Sequence, residues 1–268
     1  MTRFYRSFRT RRDCAARLAR ALGGSWLGRA RLFAQVLTLP RNGRAMRRLS
    51  CSFGDRTFTI HCYAFRELAP FLEVFAAGDY VGDWRQCRTI LDVGANIGAA
   101  SLYFWSQAPG ARIVAVEPDR DNLERLRPNV AQIPGAEIIQ NAVAGHRGRM
   151  SFYRAEGFNI GASVMEQRPG FVADQVDAIT LEDVLAGARL EQVDLCKFDI
   201  EGAEFEMFQG LQNTRRIRQF IGEYHEDLAR RPVSDFLQLF PNHKTEAVAI
   251  APQRFVCRGV LNEAAPAA

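Results

Sequence analysis

From Arg88 onward the sequence alternates between short apolar runs, which are typical of strands, and longer segments with helical spacing. This alternation restricts the fold more than any other feature, because strands separated by helices pair in parallel and are covered by helices on both faces. The predicted strands of the main sheet are Arg88–Val93, Arg112–Val116, Glu137–Gln140, Val193–Asp199, Gln219–Tyr224, Thr245–Ile250 and Arg254–Leu261. The last two are consecutive, which predicts an antiparallel edge. We therefore expect an α/β, doubly wound, mostly parallel seven-stranded sheet.

The rest of the chain divides into segments of different character. Residues 1–48 form a basic N-terminal extension in which apolar residues recur at helical spacing, and Gly23-Gly24 is expected to separate two helices. Residues 49–87 contain two strand-like runs around a glycine turn, followed by a helical run, and they lead into the core. Residues 88–268 form the α/β domain, to which the short strands Ser151–Tyr153 and Val176–Ile179 are added.

Charge is distributed unevenly along the chain. The net charge of +5 conceals 13 Arg, no Lys and one acid in residues 1–48, which gives +12 there and −7 in the remainder. We interpret the extension as a docking helix pair with a solvated basic face, or as a surface for anionic lipid or a phosphate-bearing acceptor. A noncatalytic nucleic-acid-binding or scaffold module is the alternative. It is disfavoured, and specific nucleic-acid binding is not expected, because base-stacking aromatics and a recognised RNA-binding module are absent.

The apolar runs and the cysteines of the sequence indicate the cellular compartment. No run of 18 or more uncharged apolar residues is present, so no membrane-spanning helix is predicted. The six cysteines are scattered without a Cys-x-x-Cys pair or the spacing of a zinc site. Thiols of this kind are typical of a reducing cytoplasm. We expect a cytoplasmic protein, with peripheral membrane contact through residues 1–48 left open.

A glycine loop follows the first parallel strand and opens a helix. Gly94 and Gly98 allow the backbone to approach a ligand, and Asn96 tolerates positive φ. The helix N-terminus that follows favours an anionic group. Asp92, in the last turn of the strand, is placed to hold a ligand ammonium through water. The spacing differs from G-x-G-x-x-G, which disfavours the alternative of an NAD(P)-dependent oxidoreductase.

Two further polar residues follow the next strands. Glu117 ends the second parallel strand, about 20 residues after the glycine loop, where an acid can accept the hydroxyls of a ribose. Asn141 follows the third strand and can read the edge of an adenine, although an asparagine turn is an equal alternative. Together with the glycine loop they predict a nucleoside-binding rim at the carboxyl ends of the strands.

The fourth and fifth parallel strands bring charged residues to the same rim. Lys197 and Asp199 alternate on one strand, and Glu223 and His225 share a face of the next. His225 and Asp199 are candidate general bases, with Glu223 orienting one of them, while Lys197 is a catalytic candidate or a structural ion-pair partner of the acids. A divalent metal held by Asp199, Glu223 and His225 is the alternative, and it is not favoured because no tight ligand cluster is visible.

These motifs resemble a known family. Asp92-Val93-Gly94-Ala95-Asn96-Ile97-Gly98 followed by Val116-Glu117-Pro118 is similar to class I S-adenosylmethionine-dependent methyltransferases. Thr180-Leu181-Glu182-Asp183 and the string from Asp194 to Glu204 resemble, more narrowly, the FkbM family. The resemblance covers roughly residues 75–225. It implies a Rossmann-like methyltransferase fold, S-adenosyl-L-methionine as cofactor, and a bacterial O-methyltransferase whose small-molecule or glycan acceptor is a sugar, glycolipid or secondary metabolite.

Two segments are candidates to cover such a site. Tyr80 and Trp84 are predicted either to form an aromatic lid or to pack a helix onto the sheet. Gly157–Gly170, with Asn159 and Ser163, is a candidate acceptor loop.

Overall fold

The computed structural model describes residues 10–155, 158–163 and 171–262. Its helices are α1 (Arg11–Leu22), α2 (Trp26–Thr38), α3 (Ala69–Phe71), α4 (Ala99–Gln107), α5 (Arg120–Val130), α6 (Leu181–Gly187), α7 (Glu204–Gln209), α8 (Glu226–Ala229) and α9 (Val233–Gln238). Its strands are β1 (Arg47–Phe53), β2 (Arg56–Cys62), β3 (Thr89–Val93), β4 (Arg112–Val116), β5 (Glu137–Ile139), β6 (Ala142–Val143), β7 (Gly148–Ala155), β8 (Phe158–Ser163), β9 (Phe171–Ile179), β10 (Leu195–Phe198), β11 (Gln219–His225), β12 (His243–Ala251) and β13 (Arg254–Leu261).

The chain divides into two compact units. The first contains the described residues of 1–86, 97–110 and 124–134, and the second those of 87–96, 111–123 and 135–268. The three-part division expected from the sequence stays a prediction. Within the part of the chain that the structure describes, no helix is long and apolar enough to cross a membrane.

The second unit is built on a seven-stranded sheet in the order β12-β13-β11-β10-β3-β4-β5. Strands β11, β10, β3, β4 and β5 are parallel, whereas β13 is antiparallel to both β11 and β12. Apolar side chains such as Leu91, Val114, Phe198 and Phe220 are almost completely buried in its core. The predicted sheet, with its antiparallel edge, is therefore confirmed. Since all five parallel strands point the same way, their carboxyl ends meet along one rim.

A smaller sheet of four strands, in the order β6-β9-β7-β8, also belongs to the second unit. The sequence analysis predicted only two short strands here. The observed strands are longer, and along β9 the side chains of Asp174, Gln175 and Asp177 are exposed. A sheet that buries few side chains shows little alternation of apolar and polar residues in its sequence. For this reason the length of these strands could not be predicted.

The first unit combines the helix pair α1–α2 with the β1–β2 hairpin. The predicted division at Gly23-Gly24 is confirmed, and the hairpin strands pair antiparallel around the Gly54 turn. The predicted helix after the hairpin is irregular: a 3₁₀ turn at Phe65–Leu68 leads into α3, which continues as a π-helix over Leu72–Ala77. It ends at Gly78, whose φ of 79° suits glycine.

Tyr80 and Trp84 are buried within the first unit. Their rings lie 6.0 and 5.9 Å from the Phe104 ring of α4, and Trp84 Nε1 donates to the Tyr80 carbonyl at 2.9 Å. The burial of both rings against α4 favours the packing alternative over a lid, although Tyr80 and Trp84 lie in an irregular segment and not in the helix expected there. Residues 157 and 164–170 of the predicted acceptor loop Gly157–Gly170 lie outside the described residues, and residues 158–163 form β8.

Candidate active site

The site lies at the carboxyl ends of the parallel strands of the second unit. The register between β3 and β10 aligns Asp92 with Lys197, and β10 aligns Lys197 in turn with Ile221 of β11. Residues that follow these positions toward the rim therefore come from adjacent strands. The backbone pairing alone places the predicted residues of β3, β10 and β11 side by side.

Asp92 and Lys197 form a buried ion pair between two of these strands. Lys197 Nζ lies 3.1 Å from Asp92 Oδ1 and donates to the Gly94 carbonyl at 2.7 Å. Burial alone would lower the pKa of Lys197, but Asp92 and Asp199 outweigh it and raise the pKa. The ammonium beside Asp92 in this structure is that of Lys197, which also holds the start of the glycine loop. This pairing agrees with the structural alternative for Lys197, while the roles of both residues toward a ligand stay predictions.

The glycine loop is shaped by packing against the protein itself. Gly94 has φ of 74°, and a Cβ there would collide with the Asp199 carbonyl oxygen. Gly98 has φ of 91°, and a Cβ there would lie 3.1 Å from Leu126 Cδ1 within the first unit. Backbone conformation and close packing therefore each favour glycine at these positions, and the expected approach of the loop to a ligand stays a prediction. The positive φ expected to be tolerated at Asn96 is confirmed, at 50°.

Glu117 is a nearly buried carboxylate at the end of β4. Oε2 accepts from the Asn96 backbone N–H at 2.8 Å, and Oε1 accepts from the Asp119 N–H at 3.0 Å and from Asn122 Nδ2 at 3.1 Å. Burial raises the pKa of Glu117 to about 7 in spite of these three hydrogen bonds. A carboxylate offers about four lone-pair sites. One of these lone-pair sites remains for a further donor, and whether Glu117 binds the hydroxyls of a ribose stays a prediction.

Asn141 lies apart from the charged residues. Asn141 is half-buried, and its Nδ2 donates to the Asp177 carbonyl at 3.1 Å. It lines a polar surface depression together with Pro118 and Asp119, which follow the end of β4, and with Gln140. Asn141 and the Glu117 strand end therefore share one side of the rim, as a nucleoside would require.

His225 is the centre of the second group of predicted residues. The ring is completely buried, and Nε2 lies 3.9 Å from Asp199 Oδ1 and 3.7 Å from Glu223 Oε2. The structure thus brings all three residues together. Two acids that follow β10 complete the group: Glu201 Oε2 is 3.5 Å from Nε2, and Glu204 Oε1, at the start of α7, is 2.7 Å from Nδ1.

Electrostatics in this group favour positive charge on the imidazole. Burial alone would lower the pKa of His225, but Glu201 and Glu204 outweigh it and raise the pKa to about 10. Burial also raises the pKa of Asp199, and Lys197 opposes that change. His225 is therefore an imidazolium at neutral pH unless another cation takes its place.

Sequence reasoning missed Arg254 entirely. Its guanidinium contacts Glu201 Oε2 at 3.4 Å and Asp227 Oδ2 at 3.3 Å, because the β11–β13 register pairs Arg254 with His225. Glu204 was visible in the charged string, and its capping of the Gly202 N–H at 3.0 Å agrees with the expected preference of acids for a helix N-terminus. Arg254 carried no local signal, since only a long-range strand register brings it to the site.

Comparison with known proteins identifies relatives. The model of the family described as methyltransferase FkbM domain matches residues 92–243. The AMB antimetabolite synthetase AmbE of Pseudomonas aeruginosa is 27% identical over 176 residues, which cover 51% of this chain and 8% of AmbE. The 2-O-methyltransferase NoeI of Sinorhizobium fredii is 25% identical over 177 residues, covering 59% and 73%. The 31-O-demethyl-FK506 methyltransferase FkbM of Streptomyces tacrolimicus is 28% identical over 195 residues, covering 59% and 75%.

We expect the buried ion pair of Asp92 and Lys197 to affect the stability of the protein. Lys197→Met removes the ammonium and leaves the Asp92 carboxylate in the core, which costs about 3–5 kcal/mol of unfolding free energy. Adding Asp92→Asn removes the buried charge, so the double variant should regain a large part of that loss. Urea denaturation of the two single variants, the double variant and the parent protein measures this coupling. Additive effects in the double variant would contradict the assigned pairing.

Proposed function

Because the chain belongs to the FkbM methyltransferase family, we propose that it is an S-adenosylmethionine-dependent O-methyltransferase. The proposed acceptor is a hydroxyl of a sugar, glycolipid or secondary metabolite. The observation that carries the cofactor assignment is the Glu117 carboxylate, which is held at the end of β4 by three protein donors and keeps one acceptor site. A ribose hydroxyl is a donor of the required kind.

Different residues of the rim would bind different parts of the cofactor. Asn96 and Glu117 would hold the ribose, and Asn141 the adenine edge, while Lys197 fixes the carbonyl of Gly94 at the start of the loop. When bound, S-adenosylmethionine supplies a methyl group on a sulfonium, and loss of that methyl leaves a neutral thioether. The strands contribute binding and orientation, since transfer requires the acceptor oxygen to be in line at about 3 Å.

Oxygen as the acceptor atom is supported by the charged group and by the relatives. NoeI is a 2-O-methyltransferase, and the Streptomyces protein methylates 31-O-demethyl-FK506, according to their names. An alcohol is a weak nucleophile at neutral pH, so its proton needs a nearby acceptor. Asp199 and Glu223, both adjacent to His225 Nε2, are carboxylates in position to receive it.

The raised pKa of Glu117 predicts pH-dependent cofactor binding. A hydroxyl donor favours the charged carboxylate, so affinity should rise as the pH passes upward through about 7. We expect calorimetry with S-adenosylhomocysteine to show tighter binding at pH 8 than at pH 6. Glu117→Gln should bind more weakly and lose most of this pH dependence, whereas the exposed Glu191→Gln should behave like the parent. Saturable binding of NAD without binding of S-adenosylhomocysteine would overturn the proposed function.

Substitutions of the residues around His225 are expected to change turnover without changing the affinity for the cofactor. Asp199→Ala removes a proton acceptor, and His225→Ala removes the ring that holds the carboxylates together. Both should keep the affinity for S-adenosylhomocysteine but lower turnover by about 100-fold or more, the typical contribution of proton transfer. Mass spectrometry of methylated products from a pool of glycans and metabolites, with Glu191→Ala as control, measures turnover. Undiminished activity in both variants would refute this placement of the chemistry.

For the Arg-rich extension we propose peripheral contact with an anionic membrane. Within the first unit, Trp26 and Leu27 at the start of α2 are 75% and 61% exposed. Exposed arginines of the same unit include Arg12, Arg20, Arg29, Arg31, Arg41, Arg44, Arg47 and Arg48. Aromatic and aliphatic side chains partition into the lipid interface, and each basic residue near an anionic surface adds about 1 kcal/mol. A glycolipid acceptor would be met at such a surface.

Vesicle sedimentation tests this contact. The protein should sediment with phosphatidylserine-containing vesicles and not with phosphatidylcholine alone, and added salt should weaken binding. Trp26→Ser combined with Leu27→Ser should reduce sedimentation, while Val248→Ser, which changes a 57% exposed valine of the other unit, should not. Equal binding to both kinds of vesicle would contradict the proposal.

A further inference from the structure

His225 Nε2 is a buried nitrogen whose interactions within the described residues are incomplete. The ring is fully buried, and Nε2 has no hydrogen-bond partner among those residues. It nevertheless faces Glu201, Glu223 and Asp199 at 3.5, 3.7 and 3.9 Å. A lone pair on Nε2 would be directed at negative oxygens, whereas a proton there is attracted by them at ion-pair distance but reaches no acceptor in hydrogen-bond geometry. The surroundings of Nε2 therefore call for positive charge, which either a proton or a bound cation can supply.

The other ring nitrogen is fixed in the way metal-binding histidines usually are. Nδ1 lies 2.7 Å from Glu204 Oε1, and Glu204 is itself completely buried. A carboxylate that accepts from Nδ1–H fixes the proton on that nitrogen, so a metal ion that displaces the proton of Nε2 would meet its lone pair, and the ring is made more basic. Glu204 is also anchored by the Gly202 N–H, which restrains its own orientation. The arrangement prepares Nε2 as a ligand atom.

The charges around the ring call for a cation. The acids in contact with His225 or Arg254 are Asp199, Glu201, Glu204, Glu223 and Asp227. When all are ionised and the imidazole is neutral, these five carboxylates and the guanidinium of Arg254 give a net charge of −4. Like charges held together in a partly buried site are costly unless they are neutralised. A divalent ion reduces this net negative charge by two, whereas a single added proton reduces it by one.

The distances suit coordination. Single ligand atoms of Asp199, Glu201 and His225 all lie within 4.8 Å of one another. Two ligands that each bind a small divalent ion at about 2.0–2.2 Å are separated by no more than about 4.4 Å. The 3.5 and 3.9 Å separations from Nε2 already meet that limit. One imidazole and two carboxylates form a mixed nitrogen and oxygen set that suits first-row divalent ions such as Mn²⁺.

We propose that Asp199, Glu201 and His225 Nε2 bind a divalent transition-metal ion of the Mn²⁺ type, with Glu204 as the positioning residue behind His225. The metal alternative weighed from the sequence used Glu223 in place of Glu201, and the geometry favours Glu201, which is closer to Nε2. The ion would lie beside the rim where the acceptor hydroxyl must be held. In this respect the inference rests on the proposed function, because the bound ion would orient that hydroxyl and lower its pKa.

Direct binding of Mn²⁺ tests the site without reference to turnover. The full chain, freed of metal by chelation, is titrated with Mn²⁺ at pH 7.5, and free Mn²⁺ is followed by electron paramagnetic resonance. We expect one saturable site that weakens at least 10-fold in Asp199→Asn, Glu201→Gln and His225→Gln. In the parent protein, broadening of the ¹⁵N resonance of His225 Nε2 by Mn²⁺ identifies the nitrogen ligand.

Two controls separate coordination from general attraction. Asp227→Asn removes one carboxylate that contacts Arg254 but none of the three ligands, so it should change Mn²⁺ affinity by less than 3-fold. Glu204→Gln keeps a hydrogen-bond acceptor for Nδ1 and should weaken binding less than His225→Gln. Circular dichroism and binding of S-adenosylhomocysteine show which variants remain folded.

The outcomes distinguish the metal site from the proposed function. Absence of a saturable Mn²⁺ site in the parent, with His225 protonated on both nitrogens, overturns the metal proposal and assigns the cationic role to the imidazolium. Equal losses in Asp227→Asn and Asp199→Asn also overturn it, since they indicate diffuse attraction. Failure to bind S-adenosylhomocysteine while Mn²⁺ still binds would instead remove the cofactor assignment and leave the metal site intact.

Discussion

The buried pair of Asp92 and Lys197 is the interaction on which the rim of the second unit depends. It joins adjacent parallel strands at aligned positions, and the same ammonium holds the Gly94 carbonyl at 2.7 Å. Gly94 also packs against the backbone of Asp199, which fixes the glycine loop relative to Asp199. The ion pair and this contact together hold the proposed cofactor-binding loop next to the proposed catalytic residue Asp199.

Around His225 the protein accepts an electrostatic cost for which packing offers no reason. Glu204, Glu201, Asp199 and Glu223 all approach one buried ring, and Arg254 compensates only part of their charge. Groups whose burial and charge conflict with folding stability are typical of sites selected for chemistry. Here the conflict lies at the carboxyl ends of β10 and β11, next to the strand ends of the proposed cofactor site.

Residues whose positions depend only on the neighbouring sequence could be predicted. Glu117 and Asp199 could be placed at the rim because each directly follows a recognisable strand, and Lys197 was recognised as a partner for acids because alternation shows which face it shares. Arg254 could not be placed, since its position beside His225 follows from the antiparallel register between distant strands. Glu201 was visible, but its approach to His225 depends on a backbone φ of 52°, which no residue pattern specifies. The four-stranded sheet was underestimated because it buries few apolar side chains.

The position of Arg254 on β13 also links the charge of the site to the edge of the sheet. Arg254 pairs with His225 in the antiparallel β11–β13 register, and its guanidinium contacts Glu201 and Asp227. These contacts depend on the backbone pairing of the two strands, so loss of that pairing would take the guanidinium away from both carboxylates. The antiparallel hairpin β12–β13 is therefore an electrostatic part of the site as well as the edge of the sheet.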